Sequence, residues 1–206
     1  MKILINVNQK FNFKCPQVNS KKMLYPKWMF FKQYLVLILL FAFNFAFSQT
    51  FTYDFNGNLD EESGLGPTLT VIGTGTGNFV NDPILSNSMV YEFSNDSGLT
   101  LDLNAAGIDL NQDYTLELYF RFENYQAPWR KIIDYKNRSA DEGLYDYLRQ
   151  IQFYPNTTGS QQFVEGQYSY LAITREAATK EYIVYNDSGD AVLVFTDTAD
   201  QGVQDA

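Results

Sequence analysis

Ten residues constrain this chain more than any others. From Tyr114 to Glu123, Tyr114, Leu116, Leu118, Phe120 and Phe122 alternate with Thr115, Glu117, Tyr119, Arg121 and Glu123. A β-strand turns successive side chains to opposite faces, so this spacing makes one apolar face and one mostly polar face. A helix would scatter the same residues around its circumference. Shorter runs of this kind recur at 51–55, 68–72, 89–93, 98–103, 130–135, 144–154, 168–174, 180–186 and 191–196. Turn-forming clusters such as Asn56-Gly57-Asn58, Gly73-Thr74-Gly75-Thr76-Gly77 and Asn186-Asp187-Ser188-Gly189 divide them. About ten strands at this spacing predict an all-β fold, a two-sheet antiparallel β-sandwich in one domain over 49–206. A helical turn is expected only within 104–112. Ala177-Ala178 is expected at the tip of a hairpin.

Charge divides the chain in two. Residues 1–48 hold seven lysines and no acidic side chain, while residues 49–206 hold eight basic and twenty-four acidic ones, net −16. A body this acidic repels phosphate backbones, which argues against nucleic acid as a partner. The chain has no histidine, so a Ser-His-Asp triad and a His-ligated zinc site are excluded. Residues 34–47 form a fourteen-residue apolar run broken only by Asn44, preceded by Lys27 and Lys32 and closed by Ala46-Phe47-Ser48. As a helix it would span roughly 21 Å, short of the ~30 Å hydrocarbon core. The pattern predicts a signal-peptide helix over 1–48, with 1–22 read as an extension ahead of the true start, and a secreted or cell-surface protein. Contact with a membrane is expected only through this segment during export. The sole cysteine, Cys15, lies within it.

Four stretches carry a resemblance. Tyr53-Asp54-Phe55-Asn56-Gly57-Asn58-Leu59-Asp60 is similar to the opening strand and turn of concanavalin A-like, laminin-G-like jelly rolls. Tyr114 to Phe122, followed by Trp129-Arg130-Lys131-Ile132-Ile133-Asp134-Tyr135, resembles their central strands. Asn137 to Tyr145 resembles the family's Asp-x-Gly-Leu-Tyr loop. Tyr168 to Arg175 with Tyr182 to Gly189 resembles its late hairpin, although Tyr168 and Tyr170 stand where Trp and His are common. The resemblance implies a concanavalin A-like sandwich and an extracellular recognition module of a larger secreted or cell-surface protein. It also implies a closing strand paired with 51–55. Residues 201–206 read as a loop, so that strand is expected beyond residue 206.

Candidate chemistry follows from what remains. Catalytic jelly rolls align carboxylates along one strand at the ~5–5.5 Å separation of a retaining glycosidase. Here Glu117 and Glu123 lie six residues apart, roughly 20 Å along a strand. No catalytic residue is assigned, and a glycoside hydrolase or lyase stands as the alternative reading. The third is a structural adhesion domain without a small ligand. Asp54, Asn56, Asn58 and Asp60 alternate like half an EF-hand but lack its glycine and terminal glutamate. Calcium, if a cofactor, is instead assigned to Asp134, Asp141 and Asp187, on the analogy of laminin-G-like loop aspartates. Trp129 is the one tryptophan after residue 48 and sits in Tyr125-Gln126-Ala127-Pro128-Trp129-Arg130. With Asp134, Asn137, Asp141 and Tyr145 it predicts a loop-borne site for an extracellular glycan or a surface protein, stacking by ring and bonding by carboxylate and amide.

Overall fold

The computed structural model describes residues 49–124 and 127–203. The signal segment expected over 1–48 lies outside the described residues, as do Tyr125 and Gln126. Twelve strands are described: β1 (Thr70–Gly73), β2 (Gly77–Asp82), β3 (Ser88–Phe93), β4 (Ser97–Thr100), β5 (Tyr114–Arg121), β6 (Trp129–Ile133), β7 (Gly143–Tyr147), β8 (Gln150–Tyr154), β9 (Thr157–Gln162), β10 (Tyr168–Arg175), β11 (Glu181–Tyr185) and β12 (Ala191–Thr196). A short helix, α1 (Leu103–Ala106), falls at the expected helical turn and is capped by the Asp102 carboxylate on the Ala105 N–H, while a 3-10 turn over Pro83–Leu85, capped by Asp82, lies outside the range where helix was expected. The fold is an all-β sandwich. Its main sheets run β12-β11-β10-β5 and β6-β7-β8-β9, with two-stranded pairs β1-β4 and β2-β3 beside them. Every strand pairing is antiparallel. The chain leaves the first sheet after β5, builds the second as a meander, and re-enters beside β5 at β10.

Alternation sorts the residues as expected. On β5, Tyr114, Leu118 and Phe120 are buried, and on β10 Leu171, Ile173 and Arg175. Leu144, Ile151 and Phe153 face them from β7 and β8 and are fully buried. Phe153 is the hinge of the contact: its ring lies 4.8 Å from Tyr182 on β11 and 4.8 Å from Phe195 on β12. Buried rings of this size dominate the apolar area withdrawn from water. The two sheets meet most tightly where β9 passes β12. A Cβ on Gly159 would lie 2.2 Å from the Val192 carbonyl oxygen, so only glycine permits that approach.

Buried polar groups fix two stretches of irregular backbone. Asp197, with no exposed surface, accepts from Arg175 Nε at 3.0 Å and from the Gln201 and Gly202 N–H groups at 2.7 and 2.9 Å. Tyr114 donates its hydroxyl proton to the Gly202 carbonyl. Gln201 to Val203, within the stretch that reads as a loop, therefore form a buried turn. The carboxylate of Asp197 supplies the acceptors that draw this polar segment inward. Glu61 does the same near the start of the described residues, accepting from Thr52, Ser63, Leu65 and Gly66 N–H groups and from the Ser63 hydroxyl. Burial pushes its carboxyl up, but these donors outweigh burial and hold it below the usual glutamate range.

The run 51–55 behaves differently from the other strands. Phe51, Tyr53 and Phe55 are buried while Thr52 and Asp54 are partly exposed, so the alternation is real. Yet the segment joins no ladder among the described residues. Its main-chain bonds are few: Thr52 accepts from Glu62 at 2.8 Å and donates to Glu61, and Phe55 accepts from Gly57 at 2.8 Å.

Candidate functional site

The outward face of the β6–β9 sheet gathers most of the predicted site. Register places Trp129 opposite Tyr147, and Lys131 opposite Tyr145. On the next strand Tyr147 stands opposite Gln150, Tyr145 opposite Gln152, and Gly143 opposite Tyr154. Gln150 and Gln152 in turn face Gln162 and Thr158 on β9. These residues share the side of the sheet turned away from Phe153, and so form a solvent-facing strip.

Aromatic rings crowd its β6–β8 half. Trp129 retains 41% of its surface. Its ring centroid lies 3.9 Å from Tyr147, and 5.5 Å from both Tyr145 and Tyr154 in edge contacts. Tyr154 retains 37% of its surface, whereas Tyr145 retains 5%. Tyr145 is thus the floor beneath Trp129 and Tyr154, rather than the contact residue expected from sequence. Its hydroxyl donates to Asp141 Oδ1 at 2.5 Å, and the Lys131 ammonium sits 5.2 Å over its ring. Burial, with the Asp141 carboxylate beside it, pushes the Tyr145 phenol well above the usual tyrosine value. At neutral pH it remains a donor. Trp129 itself stands on strand β6 and not in a loop, which holds the indole more rigidly than the loop placement would.

Asp134 and Asn137 serve the turn after β6. Asp134 Oδ1 accepts from the Lys136 and Arg138 N–H groups at 2.8 and 3.2 Å, and Oδ2 takes the Lys131 ammonium at 2.8 Å. Burial raises its carboxyl, but Lys131 and those two amides prevail and keep it below the usual aspartate value. Asn137 is exposed in left-handed backbone, φ 47°. Asp141 lies within 4.0 Å of Lys131. Trp129, Tyr145, Asp141 and Asp134 are therefore linked through Lys131 and Tyr145, with Asn137 at the rim.

The three aspartates assigned to calcium are not brought together. Asp187 lies in the exposed 186–190 turn that follows β11. The Asp134 turn lies toward the other end of β11: Lys136 next to it reaches the Asp200 carbonyl at 3.1 Å, and Asp200 pairs at 2.7 Å with Lys180, the residue before β11. The length of β11, ~15 Å, separates them. Among the described residues no cluster of three acidic side chains is placed to hold a metal ion. Asp54 and Asp60 are also spent locally, on Asn56 and on Thr68. Of the carboxylates weighed for catalysis, Glu123 pairs with Arg121, while Glu117 sits on the outward face of the other main sheet, opposite Ala172. Asp146 points inward to Arg130, whose guanidinium lies 3.9 Å over Phe122.

Sequence reading missed Tyr147, Tyr154, Gln150 and Gln152 as members of this strip. It read 144–154 as one run, whereas Leu148 and Arg149 form a two-residue turn with φ of 52° and 71°. Both residues are left-handed, the geometry that usually selects Asn-Gly. With the turn in place, parity puts all four on the Trp129 side.

Comparison with protein-family models, with curated proteins and with solved structures returns no match to this chain.

Proposed function

We propose that the chain is an extracellular recognition module of the concanavalin A-like, laminin-G-like kind, carried by a secreted or cell-surface protein, and that it binds glycan on the outward face of the β6–β9 sheet. The observation that carries this reading is Trp129. A soluble sandwich gains nothing in stability from keeping 41% of an indole in water, yet this one is braced by three tyrosines on adjacent strands. Sugar rings offer apolar C–H faces to such a surface, and their hydroxyls suit the neighbouring amides and carboxylates. Against the glycoside hydrolase reading, the two carboxylates beside the strip, Asp134 and Asp141, both lie on the Lys131 ammonium.

The test is a glycan array probed with the purified chain and with Trp129→Ala. Binding by the parent that the variant loses, with unchanged circular dichroism, supports recognition through this face. No binding to any glycan, together with capture of a defined surface protein, supports the adhesion reading instead. Release of reducing sugar from a polysaccharide panel would reinstate the enzyme reading.

A further inference from the structure

The composition of the strip carries the argument one step further. Resting on the glycan reading above, we infer that the ligand is an uncharged, extended oligosaccharide lying across the strands, from Trp129 on β6 to Gln162 on β9.

Direction comes from the register. Trp129, Tyr147, Gln150 and Gln162 occupy one transverse row over four adjacent strands. Lys131, Tyr145, Gln152 and Thr158 occupy the next. Neighbouring strands lie ~4.8 Å apart, so each row spans about 14 Å. That is longer than one sugar ring, and a monosaccharide seated on Trp129 cannot reach Gln162.

The chemistry grades along the same line. The β6 end offers ring faces, and the β9 end offers amides and a hydroxyl. A primary amide carries both donors and acceptors, as does every sugar hydroxyl, so a row of amides can follow successive hydroxyls without charge. Gln152 Oε1 is an acceptor with no hydrogen-bond partner, screened from water between Tyr145 and Thr158. That acceptor is closed to solvent, so the amides that face a ligand in these rows are those of Gln150 and Gln162.

Charge selects against acidic ligands. The two cations bordering the strip are already paired, Lys131 with Asp134 and Asp141, and Arg149 with Glu165. Asp141 is 85% exposed at the rim. The net −16 of residues 49–206 adds a repulsive field toward uronate or sulfate groups.

Calorimetric titration with neutral β-linked gluco-, xylo- and manno-oligosaccharides of increasing length tests this, with oligogalacturonate as the acidic comparison. Affinity is expected to rise with length until the row is filled and to be indifferent to added salt. Gln162→Ala, an exposed substitution, should weaken the longer ligands about tenfold and leave the shortest unaffected. Trp129→Ala should weaken all lengths. Salt-sensitive, Trp129-dependent binding of oligogalacturonate would overturn the inference and leave glycan recognition standing. So would neutral binding that ignores length and Gln162. Glycan binding indifferent to Trp129, or none at all, would overturn the recognition reading itself.

Discussion

Phe153 and Tyr154 are consecutive residues of β8, and they live in different worlds. Phe153 has no exposed surface and touches rings from β11 and β12, while Tyr154 keeps 37% of its surface and touches Trp129 and Tyr145 on the opposite face. The same contrast holds for ion pairs on β6. Arg130 turns inward to the buried Asp146, and Lys131, the next residue, turns outward to Asp134. One sheet thus carries two sets of aromatic rings and two sets of charges, separated by the thickness of a backbone. The inner set determines whether the chain folds. The outer set is free to be chosen for what it touches in solution.

The largest break between the faces should come from Phe153→Ala. Removing a fully buried ring leaves a cavity as well as lost transfer energy, and about 3–5 kcal/mol of stability should disappear in urea unfolding. Tyr154→Ala, one residue on, should cost well under half of that. If the two cost the same, the inward and outward assignments are wrong.

Next comes Asp146→Ala, which takes the carboxylate from a largely buried Arg130 guanidinium, leaves it the Asn124 carbonyl, and should cost about 3 kcal/mol. Asp134→Ala removes a partner from an ion pair at the surface, and its ion-pair loss should be below about 1 kcal/mol. A double replacement of Arg130 and Asp146 by leucine should recover most of the loss, because it removes the buried charge together with its counter-charge.

Trp129→Ala should cost about 1 kcal/mol of stability, the worth of its ring contacts, while removing glycan binding. A large stability loss without loss of binding would make Trp129 a packing residue and return it to the inner set.

The smallest effect is one of slope. Asp146 and Asp134 are displaced in opposite directions. Burial pushes the Asp146 carboxyl up, with Arg130 opposing, whereas Lys131 and two amides outweigh burial and hold Asp134 down. A raised folded value means the native state keeps its proton longer than the unfolded chain. The contribution of Asp146 therefore falls as pH climbs from the ordinary aspartate range through its folded value. Asp134 contributes above the ordinary range and loses that contribution as pH falls through its own folded value. Urea midpoints taken between about pH 3 and 7 should show Asp146→Asn removing the first slope and Asp134→Asn the second. Slopes of the same sign would contradict the geometry.

Much of this contrast was readable from alternation alone. The inward set of β5 and β10 and the hairpin at Ala177-Ala178 followed from parity and turn residues. What escaped did so for physical reasons. Leu148-Arg149 adopts left-handed backbone without the residues that announce it, so the strip beyond it was invisible. Thr157–Gln162 lacks any apolar alternation because its inward contact is Gly159 against the β12 backbone, a fit made by absence of a side chain. Asp187 was grouped with Asp134 and Asp141 on the analogy of laminin-G-like loop aspartates, and nothing in the sequence says which end of β11 the turn after β6 lies against. Trp129, Asp134, Asp141 and Tyr145 came together as a group, but with Tyr145 beneath the surface and Trp129 on a strand.

The segment 51–55 separates two properties that strands ordinarily combine. Its side chains are as shielded as any in the core, but Tyr53 and Phe55 contribute no N–H to a ladder among the described residues. Shielding by packing and protection by hydrogen bonding are distinct, and hydrogen–deuterium exchange reads only the second with fidelity. The amides of Tyr53 and Phe55 should take up deuterium well before those of Leu118 and Ile173, whose side chains are no better buried. In this protein, a region can be fully inside the fold by its rings and still lie at its edge by its backbone.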